Sequence, residues 1–162
     1  MRLQAPTLLC PDHQLDGFES GVASLDDWLK RRARSNQAHG ASRTYVLAQG
    51  DGTVLGYYAL ASGALALGEA SGSIRRNMPD PIPMAILGRL AIDRRHQGKG
   101  LGVALLQDAV MRVGQAAAIM GIRNILVHAI SDEAKRFYER YGFTPGVNQP
   151  MTLVLPLKMS GI

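Results

Sequence analysis

The stretch AIDRRHQGKGLG, residues 91–102, sets Gly98, Gly100 and Gly102 at alternate positions between an apolar run and a helical pattern. A strand entering a glycine-rich turn at a helix N-terminus presents unpaired N–H groups, and glycine lets an anion come close to the backbone. The chemistry implied is recognition of a phosphate. Residue type excludes two nucleotide motifs. A P-loop needs Ser or Thr after its lysine, where Lys99 is followed by Gly100, and the dinucleotide fingerprint needs glycine where Val103 stands. What remains is Arg95-x-x-Gly98-x-Gly100, then Gly102. Other reactive side chains are scattered: His13, His39, His96 and His128 lack metal-ligand spacing, so no metal site is expected.

Charge points the same way. Lys and Arg number 18 against 13 Asp and Glu, a net +5 that suits an anionic partner without requiring one. The cations cluster at Lys30, Arg31 and Arg34, at Arg43, at Arg75 and Arg76, and at Arg94, Arg95 and Lys99. Each cluster is either a phosphate contact or a solvated face. Arg89 lies on the strand before the glycine turn. If Leu90 and Ile92 face the core, it points to the opposite face, where it meets an acceptor phosphate or a structural ion-pair partner.

Several elements must position these residues. A short strand near residues 3–9 precedes a helix over 24–37, with Ser24 as N-cap and Asp26 and Asp27 in its first turn. Two β-prone runs, 43–49 and 53–67, flank Gly50-Asp51-Gly52 and read as a hairpin. Residues 68–83, rich in Gly, Ser and Pro, read as a loop, and 84–93 as a strand. Val103, Leu106, Val110, Val113 and Ala117 recur at helical spacing, which predicts an amphipathic helix over 102–120. A buried strand follows at 122–130. Ser131 then caps a helix that Gly142 ends, with Ala134, Phe137, Tyr138 and Tyr141 on one face; Phe137 and Tyr141 are expected in the core. The tail at 151–157 supplies a last strand, completing a mixed α/β sandwich.

A chain of 162 residues with 46% hydrophobic and 19% charged residues suits one compact domain spanning 1–162. Cys10, the single cysteine, cannot form an internal disulfide and reads as a small buried residue in a reducing compartment. No export signal is visible, and the apolar run 52–68 is shorter than a membrane-spanning helix needs, so a cytoplasmic protein without membrane contact is expected.

The Arg95-x-x-Gly98-x-Gly100 turn resembles the pyrophosphate-binding loop of the GNAT superfamily of N-acetyltransferases. The later stretch AISDEAKRFYERYGF is similar to that family's motif with a tyrosine near the thioester sulfur, which here is Tyr138; Ser131 stands where the family often has Asn. Most of the chain, through FESGVASLDDWLKRRA, GYYAL and LGRLAIDRRHQGKGLG, resembles the acetyltransferase toxins of bacterial toxin–antitoxin pairs.

The resemblance implies a mostly antiparallel central sheet flanked by helices. It also implies acetyl-CoA as cofactor, held by Leu90, Ala91, Ile92, Arg95, Gln97, Gly98, Lys99, Gly100, Leu101, Gly102, Ser131 and Ala134. Tyr138 would be the general acid, and the α-amine of an aminoacyl-tRNA the acceptor, gripped by Lys30, Arg31, Arg34, Arg75, Arg76 and Arg89. A ribbon-helix-helix antitoxin and a homodimeric state follow from the same source. The chemistry is feasible, because a free α-amine with a pKa of about 7.7–8.0 is partly nucleophilic at neutral pH without a strong base. Acetylation of a small amine or a protein N-terminus, or a non-catalytic acyl-CoA- or RNA-binding module, are the alternatives.

Overall fold

The computed structural model describes residues 4–158. Seven strands form one mixed sheet in the order β1-β2-β3-β4-β5-β7-β6: β1 Thr7–Leu8, β2 Arg43–Ala48, β3 Val54–Leu65, β4 Ile82–Ile92, β5 Asn124–His128, β6 Thr144–Pro145 and β7 Thr152–Pro156. The helices are α1 Ala23–Arg31, α2 Ala33–Ala38, α3 Gly72–Arg75, α4 Leu101–Ala117 and α5 Asp132–Arg140. Pairing is antiparallel for β1 with β2, β2 with β3, and β7 with both β5 and β6. β4 and β5 pair in parallel, with Met84 opposite Asn124 and Leu87 opposite Val127. Parallel neighbours need a crossover, and α4 supplies it. The glycine turn is therefore the connection that leaves β4 and opens the crossover helix.

The expected hairpin is present, with Arg43 opposite Leu60 and a bulge that shifts Ala48 onto Val54. Residues 68–83 are less bare than a loop: α3 lies within them, a 3-10 turn spans Leu67–Glu69, and β4 starts at Ile82. The first strand is only Thr7–Leu8, and Leu3 lies outside the described residues.

The helix read as 24–37 starts earlier and breaks. Its N-cap is Val22, not Ser24, because the Asp26 carboxylate accepts both the Ser20 amide (3.0 Å) and the Ser20 hydroxyl (2.6 Å), while Ser20 Oγ accepts the Val22 amide. Arg32, at φ −121°, separates α1 from α2. Leu29 and Ala33 on either side of the break are both fully buried.

Contacts group the chain into two compact units, one running up to Ala61 and including Gly88–Met111, the other Ser62–Leu87 and Arg112 onward. The first unit buries Leu9, Leu15, Phe18, Leu25, Leu29, Val46, Val54, Tyr57 and Ala91 together. The second packs Ala70, Ile74, Ile82, Met84, Leu126 and Val154. Cys10 is exposed rather than buried, since the core of its unit takes Leu9 instead.

Within the first unit β3 lies tight against β4 and α4 at one glycine. A Cβ on Gly56 would come within 2.7 Å of Ile92 Cδ1, 3.0 Å of Leu105 Cδ1 and 3.2 Å of the Ala91 carbonyl oxygen. Backbone cannot retreat as a side chain can. Gly56→Ala should therefore destabilise the protein by about 1–3 kcal/mol, the usual cost of overpacking, read as a lower midpoint in chemical denaturation.

Candidate active site

The turn after β4 is built around a buried carboxylate. Asp93 is 0% exposed. Its Oδ2 accepts the Glu19 amide at 3.1 Å, and its Oδ1 accepts both the amide and the Nε of Arg95 at 3.0 Å. Burial by itself pushes the Asp93 carboxyl up. The hydrogen bonds from the Arg95 side chain, then from the amides of Arg95 and Glu19, outweigh it and hold the group below the ordinary carboxylate value. Gln97 adds a second clasp, its Nε2 donating to the carbonyls of Ser20 (2.8 Å) and Ile92 (2.9 Å). The Arg94–Glu19 pair at 2.6 Å has both side chains more than half exposed and contributes little. Segment 19–20, which leads into α1, is thus fixed to the turn.

Gly98 and Gly100 both adopt φ +79°, the left-handed region that favours glycine, and a Cβ built on either meets nothing within 4 Å. The space beside the turn is open, as close approach of an anion requires. Gly102 sits in the first turn of α4, and the Ala104 amide closes onto the Gly100 carbonyl at 3.2 Å. By helix geometry the amides of Leu101, Gly102 and Val103 have no partner within the helix, and the dipole favours an anion there. Lys99 is exposed, Leu90 and Leu101 are half-buried, and Ala91 and Ile92 are buried. The donor set fits a pyrophosphate: backbone amides, open glycines and one nearby lysine.

In the second unit, Ser131 caps α5 as expected, its Oγ accepting the Ala134 amide at 3.1 Å. That acceptor is therefore engaged by the helix. Gly142, at φ +98°, closes the other end: its amide returns to the Glu139 carbonyl and the Phe143 amide to that of Tyr138. The core assignment on this helix needs correction. Tyr141 is 38% exposed and Phe137 half-buried, whereas Tyr138 and Phe143 are buried at 8% and 2%. The helix buries Tyr138, Tyr141 falls at the C-cap, and Phe143 enters the core after the glycine turn. The Tyr138 ring packs edge-on against Phe137 and Phe143, and burial pushes its hydroxyl up to about 12. Among the described residues that hydroxyl makes no hydrogen bond to protein.

The cations separate into two kinds. Lys30, Arg31, Arg75 and Arg76 are exposed at or beside helix ends. Arg34 is engaged, donating from Nη2 to the carbonyls of His13 (2.6 Å) and Cys10 (3.3 Å). Arg89 finds an aromatic ring rather than an ion-pair partner, its Cζ lying 4.7 Å from the centroid of Trp28. Asp93 and Trp28, which shape these sites, carried no motif of their own. The one sequence signal for Asp93 was its place two residues before Arg95, at the end of an apolar strand.

Because the folded value of Asp93 lies below its unfolded value of about 3.9, its contribution to stability is complete above that pH and is lost as pH falls through the folded value. Asp93→Asn should cost about 1–3 kcal/mol at pH 7, the effect of breaking a buried network. Urea titrations at a series of pH values should show the gap to wild type narrowing below about pH 4.

Residues 40–145 match the acetyltransferase (GNAT) domain family. The chain is 48% identical over 154 residues to a tRNA-acetylating toxin of Mycobacterium tuberculosis, an overlap of 95% of this chain and 92% of that protein. Its fold superimposes on AtaT complexed with acetyl-methionyl-tRNAfMet with a TM-score of 0.88 at 31% identity, covering 96% of this chain and 95% of the other. A tyrosine-to-phenylalanine variant of AtaT, bound to the C-terminus of the antitoxin AtaR and acetyl-CoA, gives a TM-score of 0.81 at 30% identity, covering 96% and 93%. With the sheet order, the glycine turn opening α4 and this sequence identity in agreement, the chain belongs to the GNAT family of acetyltransferases.

Proposed function

We propose that the protein transfers the acetyl group of acetyl-CoA to the α-amino group of an aminoacyl-tRNA and so acts as a toxin that blocks translation. The observation that carries this reading is the 48% identity, over 95% of the chain, to a tRNA-acetylating toxin. The neighbours holding acetyl-methionyl-tRNAfMet and acetyl-CoA support the same pair of substrates.

Acetyl-CoA supplies the acetyl thioester when bound. The amides around Gly98, Gly100, Leu101 and Gly102 would hold its pyrophosphate, with Lys99 adding charge, and Leu90, Ala91 and Ile92 at the end of β4 would border it. Arg95 and Gln97 act by holding the turn in shape. Ser131 and Ala134 are assigned to the pantetheine arm. Tyr138, with its hydroxyl raised to about 12, keeps its proton at neutral pH and donates it from Oη to the departing sulfur. Lys30, Arg31, Arg34, Arg75, Arg76 and Arg89 would receive phosphates of the RNA, Arg34 only from those N–H groups not spent on Cys10 and His13. AtaT's complex with AtaR supports an antitoxin partner here, which we assign to the ribbon-helix-helix class. We assign the toxin itself to a homodimer of one catalytic domain per chain, acting in the cytoplasm where charged tRNA is used.

Incubation with labelled acetyl-CoA and charged tRNA should transfer label to the aminoacyl end, and transfer only to small amines or protein N-termini would overturn the reading. Gly100→Val should weaken acetyl-CoA binding in calorimetry, because a branched side chain both strains φ +79° and occupies the open space beside the amides. Tyr138→Phe keeps the ring packing and removes the donor. Turnover should fall roughly 10²–10⁴-fold with substrate affinities little changed, in steady-state kinetics on charged tRNA.

A further inference from the structure

Arg89 is held in an unusual way for a cation of the first unit. Its guanidinium lies over the indole of Trp28, and the other ring contact of that indole is with Tyr57, at 6.0 Å between centroids and 10° between planes. Tyr57 is itself fixed, 0% exposed, with its hydroxyl donating to the Leu25 carbonyl at 2.6 Å and its ring edge-on to Phe18. The stack Tyr57–Trp28–Arg89 is therefore anchored in the core at one end and carries a half-buried positive charge at the other.

Among the described residues no carboxylate pairs with that charge. Among the described residues, Arg89 makes no ion pair and no hydrogen bond, although acids lie on neighbouring segments of the unit. Three of them are committed elsewhere, Glu19 to Arg94, Asp26 to Ser20 and Asp93 to Arg95, and Asp27, next to Trp28 on α1, is exposed and forms no ion pair with Arg89. A guanidinium offers five N–H donors in its plane, and stacking on a ring leaves that edge unspent. A planar cation held over a ring, with no hydrogen-bond partner among the described residues, suits a phosphate, which it can grip with two parallel hydrogen bonds.

We infer that Trp28 is a positioning residue for the acceptor. It orients Arg89 so that the guanidinium edge meets a phosphate of the aminoacyl-tRNA. The inference rests on the proposed function and on the assignment of Arg89 to the RNA, and adds that the ring beneath Arg89 sets the strength of that contact.

Four variants test it in steady-state acetylation of charged tRNA: Trp28→Leu, Trp28→Phe, Arg89→Lys and Arg89→Met. Trp28→Leu should raise KM for charged tRNA roughly fivefold to thirtyfold, the range of a partly desolvated cation–π contact, with kcat and acetyl-CoA affinity held. Trp28→Phe restores a π face and should recover most of that loss. Arg89→Lys keeps the charge but not the planar stack and should behave like Trp28→Leu, which guards against a tryptophan variant that merely folds poorly. Arg89→Met should also reduce the slope of log affinity against log salt by about one.

An unchanged KM in Arg89→Met would overturn the assignment of Arg89 to the RNA and the inference with it. A raised KM in Arg89→Met beside an unchanged one in Arg89→Lys and Trp28→Leu would overturn the positioning role alone. Equal losses of kcat, acetyl-CoA affinity and thermal stability in Trp28→Leu would reduce the residue to a core packer. Absence of any acetyl transfer to charged tRNA by the wild type would remove the reading on which all of this stands.

Discussion

A carboxylate with no exposed surface is tolerable only if its lone pairs are met, and Asp93 meets that condition with two amides and one arginine side chain. Those donors come from two separate stretches, Glu19 before α1 and Arg95 after β4. Satisfying one buried charge therefore fixes the entrance to α1 and the exit of β4 at once. Gln97 repeats the constraint with its bonds to Ser20 and Ile92. The left-handed glycines at 98 and 100 follow directly on this frame, so the turn to which we assign the pyrophosphate inherits its shape from a buried residue behind it.

The same economy runs through the charges of the first unit. Asp26 is turned back onto Ser20 to start α1, Glu19 takes Arg94, and Asp93 takes Arg95. Acids are consumed in building backbone geometry, while Lys30, Arg31 and Lys99 stay exposed. A net positive charge of +5 is a modest quantity, but its placement gives it consequence. Unpaired cations gain more from an incoming phosphate than paired ones, which must first surrender a partner. Arg34 is an intermediate case, since its bonds are to carbonyls and among the described residues it forms no ion pair.

Two tyrosines show how one physical cause serves different ends. Burial raises the hydroxyl pKa of both Tyr57 and Tyr138. Tyr57 spends its proton on the Leu25 carbonyl and becomes the base of an aromatic stack. Tyr138 has its ring wedged against Phe137 and Phe143 and its hydroxyl without a protein acceptor among the described residues. The first is a structural hydroxyl, and the second is the one we propose as proton donor.

The glycine turn, the crossover helix behind it, the Gly50–Gly52 hairpin turn and the caps at Ser131 and Gly142 were legible in the sequence, because each depends on local conformational preference: left-handed φ, helical periodicity, and hydroxyl capping. The tertiary structure decided what local rules cannot see. Ser24 lost the cap to Val22 because Asp26 reached back to Ser20; Tyr141 left the core because helix α5 ends there and Phe143 takes the inner space; Cys10 is exposed because its neighbour Leu9 is the one buried. Arg89 could be placed on a strand face from alternation alone, but not on Trp28, 61 positions away in a sequence that gives no pairing signal between them. Asp93 likewise reads as an ordinary acid at a strand end until folding buries it and brings Glu19 to its oxygen. Short-range sterics and periodicity act along the chain and can be read there, whereas burial and the meeting of distant partners are fixed only when the core closes.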